Sequence, residues 1–391
     1  MMPSRWISSA AFVAALIAAP AFADDNVVTV GLILPMTGQQ ASTGKQEQAG
    51  ANLYIQTHGD KVAGKTISLV VKDDTGAPDV TKRLAQDLIA NDNAKALMGF
   101  GLTPLALAVA PVATEAKVPE IVTAAATAMI TEKSPYIVRT SFTLPQAAAP
   151  MAEWCLKNNI HKVVTLVADY GPGNDAEKWF SDVFEKGGGQ VIEKIRTPLK
   201  SPDFAPFLQR VKDDAPEALF VFLPSGQGAE FMKQFAERGL DKSGVRLIAT
   251  GDVTDDDQLA GMGDAALGVV TTHHYSANHD SPENKAFVEA FEKANPGMRP
   301  NFMAVAAYDG MALLYQALEK TKGATDGDAL IAAMKGLSWV SPRGPVAIDP
   351  DTRDIVQNIY VRKVDKVDGA LFNVEFDTIP NVKDPYKASK N

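Results

Sequence analysis

From residue 24 onward, short β-branched runs alternate with longer segments whose apolar positions recur at helical spacing. Residues 27–34, 67–72, 96–101 and 121–122 read as strands, with helices at 45–57, 78–91 and 104–116 between them. This is the rhythm of parallel strands joined by helical crossovers, and it predicts one α/β sheet of about four strands. A second set begins after Arg139-Thr140-Ser141. Its strands fall at 162–168, 190–196, 218–222 and 245–249, separated by helices at 174–185, 203–213 and 229–238. The rhythm then breaks: 282–294, 301–322 and 326–337 read as three helices with no long strand between them, followed by a hairpin at 355–364 and 371–376. The simplest path returns these helices to the first sheet and leaves the hairpin on the second. The predicted fold is therefore α/β and two-lobed, each lobe a mostly parallel sheet flanked by helices, with three interlobe crossovers near Ser141, Thr272 and Asp354. The expected lobes are 24–141 with 273–353, and 142–272 with 354–391.

Ahead of this pattern stands a different one. Residues 1–5 carry one positive charge, 10–19 are apolar, and Ala21-Phe22-Ala23 forms a small-x-small site before Asp24, which reads as a cleavable signal peptide over 1–23. Its apolar run falls well short of the roughly 20 residues a membrane-spanning helix needs, so the product is expected to be exported and soluble. Loss of Arg5 with the leader takes the formal net charge from −9 to −10. That acidic balance argues against nucleic acid, whose binding rests on clustered Lys and Arg. Cys155 is the sole cysteine, which excludes an intramolecular disulfide and a Cys-based zinc site. Within the apolar helical stretch Ala152-Glu153-Trp154-Cys155-Leu156 it reads as a small buried hydrophobe.

Ligands of such sheets sit outside the carboxyl ends of the strands, where helix N-termini offer free N–H groups. In Gly99-Phe100-Gly101-Leu102-Thr103-Pro104 a strand ends, two glycines allow close backbone approach, Thr103 suits an N-cap and Pro104 the first helical position. The same turn serves an anion or ordinary helix capping. The polar loop Met36-Thr37-Gly38-Gln39-Gln40-Ala41-Ser42-Thr43-Gly44 either binds or merely connects. Asp169-Tyr170-Gly171-Pro172-Gly173 places Tyr170 at the mouth of the cleft from the other lobe. Pro224-Ser225-Gly226-Gln227-Gly228 and Thr250-Gly251-Asp252-Val253-Thr254 supply a hydroxyl, an amide and a carboxylate at later strand ends.

Catalytic and metal signals are weak. The run from His273-His274 to His279-Asp280 lacks a strong metal spacing and reads as a polar segment between lobes. There is no GxSxG elbow and no Walker-type phosphate loop. Gly187-Gly188-Gly189 reads as a helix-to-strand turn, and Asp255-Asp256-Asp257 as a solvated helix start, with calcium as the alternative. No metal, no cofactor and no enzymatic activity are expected.

The leader, VGLILPMTGQQASTGKQEQAGANL, DDTGAPDVTKRLAQDLI, the DYGPG turn and AYDGMALLYQAL together resemble the solute-binding proteins of branched-chain amino-acid type ABC importers, across essentially the whole mature chain. The resemblance implies a type I periplasmic binding fold: a monomeric periplasmic protein that closes over a small ligand and delivers it to an inner-membrane ABC permease. By position it implies that Thr103 receives a ligand carboxylate beside the Ala124 and Ala126 backbone, and that Tyr170 closes over the ligand. Phe100 and Ser225 belong to the same turns. The first-loop position that is often aromatic is Thr43, and one that packs on the ligand side chain falls at Met303. The ammonium-holding positions of amino-acid binders read here as Ala126, with Thr127 adjacent, and Gly251, with Asp252 adjacent. A buried ammonium without an acceptor is costly, so the preferred ligand is an acid without an amine, an aromatic acid such as a benzoate derivative. Branched-chain amino acids, amides or urea are the alternatives, and a sensory subunit or an exported enzyme are further ones. Gly76 and Leu102 stand where some members carry disulfide cysteines.

Overall fold

The computed structural model describes residues 26–200 and 202–390, so the leader read at 1–23 lies outside the described residues. The first sheet is built from β1 (Val27–Leu34), β2 (Lys61–Val62), β3 (Lys65–Asp73), β4 (Ala94–Gly99), β5 (Glu120–Val122) and β6 (Ile137–Arg139), linked by α1 (Ala41–His58), α2 (Pro78–Ala90) and α3 (Thr103–Ala116). Its order is β2-β3-β1-β4-β5-β6, parallel except for the short β2–β3 pair. The sheet has six strands instead of four because β2 and β6 hold only two and three residues, too few to register as a period. β1 is apolar on both faces, as a strand covered on both sides must be: Val30, Leu32 and Leu34 join one core, and Ile33 packs with Leu88, Leu97 and Val109 in another.

The second sheet starts after α4 (Leu144–Lys157), which opens with a capping box between Thr143 and Gln146. β7 (Lys162–Ala168), α5 (Gly171–Lys186), β8 (Gln190–Thr197), α6 (Ala205–Asp214), β9 (Ala218–Phe222), α7 (Gly228–Glu237), β10 (Arg246–Thr250), α8 (Leu259–Met262) and β11 (Val270–His273) follow. Gly187-Gly188-Gly189 is indeed the helix-to-strand turn from α5 to β8, and Cys155 is buried. The chain then returns to the first sheet as α9 (Pro282–Ala294), α10 (Phe302–Lys320) and α11 (Gly327–Met334), and α10 fills the core behind β1 and β4 with Ala307, Met311, Leu314 and Leu318. α1 and α10 cross so closely at Gly50 that a Cβ there would lie 2.0 Å from the Ala304 carbonyl oxygen.

The final elements are β12 (Ser338–Ser341), β13 (Gly344–Ile348), β14 (Ile355–Val367), β15 (Ala370–Val382) and α12 (Pro385–Ala388). The second sheet runs β12-β13-β14-β11-β10-β9-β7-β8, with β15 on β14. Residues 338–348, expected with the first lobe, pair antiparallel into the second sheet. Their side chains tell the other half: Ile348, Leu337 and Trp339 pack with Leu330, Met334 and Met311 in the first core. This hairpin belongs to one lobe by hydrogen bonding and to the other by packing. Arg343 at its tip, fully buried, pairs with Asp309 at 2.7 Å and donates to the carbonyls of Thr140 (2.5 Å) and Ser141 (3.3 Å), pinning the first crossover.

Candidate ligand site between the lobes

The carboxyl ends of β4 and β5 face those of β7, β9 and β10, and a narrow cavity lies between them. Seven of the ten positions named from sequence line it: Thr103, Ala124, Ala126, Tyr170, Ser225, Asp252 and Met303. Gln40, Leu102, Pro172, Phe222 and Pro224 complete most of the wall. Phe222 was missed because it ends an apolar strand and reads as core.

Three positions sit differently. Phe100 adopts φ 72°, which turns its ring into the core with Leu105 and Val122, fully buried, instead of into the cleft. Thr43 stands one layer back, its hydroxyl 3.3 Å from the Gln40 side-chain oxygen. Thr127 meets the cavity only through a partner: its Oγ1 is 2.8 Å from Thr103 Oγ1. Thr103 is also not the N-cap of α3. Leu102 holds that position without a side-chain bond, and Thr103 opens the helix with Pro104 after it. Its hydroxyl is thereby free to point at Thr127 and the cavity.

The first-lobe wall is rich in donors. The backbone N–H groups of Ala124 and Ala126 donate to no protein acceptor among the described residues, and in the first turn of α3 the Thr103 N–H is likewise unbonded, while Pro104 has no N–H and Leu105 N–H donates to the Leu102 carbonyl at 3.0 Å. The opposite wall carries Asp252, 4% exposed, whose Oδ2 accepts from Thr250 Oγ1 at 3.0 Å and lies 3.5 Å from His273 Nε2. Burial pushes the His273 pKa down to about 4, partly opposed by Asp252, so the ring is neutral near pH 7. His273 and His274 do not form a polar strip between lobes. They are fully buried among Phe142 and Phe302, at ring separations of 4.3–5.7 Å. Among the described residues no group of three or more His, Cys, Asp or Glu side chains converges as a metal site. Tyr170 stacks on Phe222 at 6.1 Å, and burial, reinforced by Asp252, raises its hydroxyl pKa well above the usual value.

Around the cavity the lobes touch directly. Ala128 N–H donates to Asp175 Oδ2 at 2.8 Å, Gln46 Nε2 to Asp257 Oδ1 at 2.9 Å, and Asn301 Nδ2 to Asp255 at 2.9 Å. Asp255 is therefore buried in the contact between lobes, Asp256 is buried within the second lobe against Asn373 and Arg362, and neither starts a solvated helix. Burial and then Asp257 raise the Asp255 pKa to about 7. Gly76 and Leu102 line an outer pocket together with Gln40 and Lys200.

Residues 27–370 match the family model described as periplasmic binding protein. The chain belongs to the periplasmic binding protein family. This periplasmic binding protein is 46% identical over 375 residues to Leu/Ile/Val-binding protein homolog 6 of Brucella abortus, with 95% of each chain covered. It is also similar to a solute binding protein of an ABC transporter from Rhodopseudomonas palustris BisB5, solved with 3,4-dihydroxybenzoic acid: TM-score 0.91, 62% identity, covering 93% of this chain and 99% of that one. A second, from R. palustris HaA2 in complex with p-hydroxybenzoic acid, aligns with TM-score 0.90 and 45% identity over 93% of this chain and all of that one. The two-lobed type I fold and the solute-binding family expected from sequence both stand.

Proposed function

We propose that this periplasmic binding protein captures a hydroxylated benzoate in the periplasm and hands it, as a non-catalytic monomer, to an inner-membrane ABC permease. The observation that carries this reading is the polarity of the cavity. Donors gather at one wall, in Thr103 and the free N–H groups of Ala124 and Ala126, and an acceptor, Asp252, stands on the other. A benzoate carboxylate suits the donors, and a ring hydroxyl donates to Asp252. Tyr170, Phe222 and Met303 offer apolar faces for the ring between them. The aromatic acids bound by the two R. palustris proteins support the same assignment. Because the ligand meets both walls only when the lobes are together, its binding energy favours closure, with the few crossover residues absorbing the rotation.

A second reading, an aliphatic amino acid, is favoured by one observation: a carboxylate at Asp252 also accepts an ammonium. Thermal-shift midpoints of residues 24–391 with 3,4-dihydroxybenzoate, 4-hydroxybenzoate, benzoate and leucine separate the two, since binding to the folded state raises the midpoint by mass action. The hydroxylated acids are expected to give the largest shift, benzoate a smaller one and leucine none. A shift with leucine alone overturns the aromatic reading.

A further inference from the structure

Arg139, at the end of β6, is fully buried and spends its guanidinium on backbone. Nη1 donates to the carbonyls of Ala125 (3.3 Å) and Phe142 (3.0 Å), and Nη2 to those of Thr127 (2.8 Å) and Ala128 (3.4 Å). The stretch 123–127, which carries the unbonded N–H groups of the cavity wall, forms neither helix nor strand. Because each peptide is planar, fixing the Ala125 carbonyl also fixes the direction of the Ala126 N–H. The guanidinium in turn is oriented from behind. Its Nε lies 2.9 Å from Asp354 Oδ1 in a buried ion pair without hydrogen-bond geometry, so Asp354 holds the planar guanidinium by charge while its Nη groups reach the backbone.

Asp354 Oδ2 accepts from Thr131 Oγ1 at 3.2 Å and pairs with Lys387 of α12, which also donates to Thr131. That last turn is held at its start by Asp384, which accepts from Thr143 Oγ1 at 3.1 Å, and at its end by Lys390, 2.8 Å from Glu132. The C-terminal tail thus leaves β15 of the second sheet and ends against the first lobe, directly behind the cavity wall.

We propose that the C-terminal turn is a positioning element for the ligand site: Lys387 sets Asp354, Asp354 sets Arg139, and Arg139 sets the peptide groups that face the ligand. Lys387 touches no ligand and acts only through this chain. Where the ligand carboxylate sits rests on the function proposed above. The state of the wall itself does not, and the two are tested separately.

The first arm is hydrogen exchange by mass spectrometry on ligand-free residues 24–391, comparing Lys387→Met and Lys387→Arg with the parent. Lys387→Met is expected to speed exchange in a peptide covering 123–132 while leaving β1, β3 and β4 unchanged, and Lys387→Arg to restore the parent pattern. Exchange unchanged at 123–132, or raised evenly across the first sheet, overturns the proposal. If Lys387→Met is not recovered folded, Thr131→Val, which removes one donor from the same Asp354 oxygen, is read in the same way. The second arm is titration with 4-hydroxybenzoate, where Lys387→Met should bind roughly tenfold more weakly, the size of effect a packed network transmits. Lys390→Met, which removes the exposed contacts with Glu132 and Tyr386 but leaves the buried Lys387–Asp354 pair in place, should bind like the parent. Equal affinity for Lys387→Met and parent overturns the proposal. Failure of the parent to bind any aromatic acid overturns the function proposed above and leaves the exchange arm to decide this one.

Discussion

Replacing Thr103 with valine removes one hydroxyl and keeps the branched shape, so it isolates the carboxylate contact on which the ligand reading depends. Two losses follow. The 2.8 Å bond between the Thr103 and Thr127 hydroxyls, both buried, disappears, which costs about 1 kcal/mol of folding stability. A charge-assisted bond to the ligand carboxylate disappears as well, worth about 1.5–3 kcal/mol. At about 1.4 kcal/mol per tenfold, that second loss weakens binding roughly 10- to 150-fold. Binding is not abolished, because the N–H groups of Ala124 and Ala126 remain. The hydroxyl lies inside the cavity and does not gate entry, so the loss should fall on dissociation more than association. Titration calorimetry with 4-hydroxybenzoate near neutral pH, paired with stopped-flow kinetics, measures both. The neutral amide of the same acid should lose less, since it offers no charge to that hydroxyl. A valine variant that binds the acid within twofold of the parent refutes the placement of the carboxylate at Thr103.

Two further outcomes concern stability. Gly50→Ala places a methyl 2.0 Å from the Ala304 carbonyl, and backbone on both sides leaves no flexible group to yield, so the midpoint should fall with a loss of about 1–3 kcal/mol; an unchanged midpoint means that α1 and α10 slide apart freely. Glu47 is fully buried, with Thr123 donating to one oxygen and Oε2 without a partner among the described residues. Burial raises its pKa from 4.5 to about 8, against the Thr123 bond. A carboxyl raised on folding contributes stability that is complete below about pH 4.5 and lost as pH climbs to about 8, because ionisation is easier in the unfolded chain. Glu47→Gln should flatten that part of the pH–stability curve, and an equally steep curve in the variant removes Glu47 as its source.

The alternation of strands and helices, the return of three helices to the first sheet and the late hairpin on the second were all legible, because each rests on long periodic segments. What escaped was short or doubly committed. β6 is three residues long, and β12–β13 carries side chains suited to one core on a backbone that pairs elsewhere. At the site, turn chemistry located the right strand ends but not the direction of each side chain. Phe100 lies inside the best motif, yet a positive φ sends its ring away from the cleft. Thr103 was placed by its fitness to cap a helix, yet Leu102 holds the cap and the Thr103 hydroxyl meets Thr127. Asp255 and Asp256 read as exposed because acidic runs usually are, and no local pattern reveals that Asn301 of the other lobe and Asn373 of the same lobe will cover them.

The shared hairpin also bears on how the chain comes together as it is made. The first sheet is threaded from residues 27–139, but its core also takes Met311, Leu330, Met334 and Ile348 from segments that follow β11 of the second sheet. Residues 27–139 bring paired strands and the α1 side chains Ala51 and Tyr54 to that core, and the rest of its cover comes from later segments. The first lobe therefore completes its core only with segments that follow the parallel strands of the second lobe in the chain.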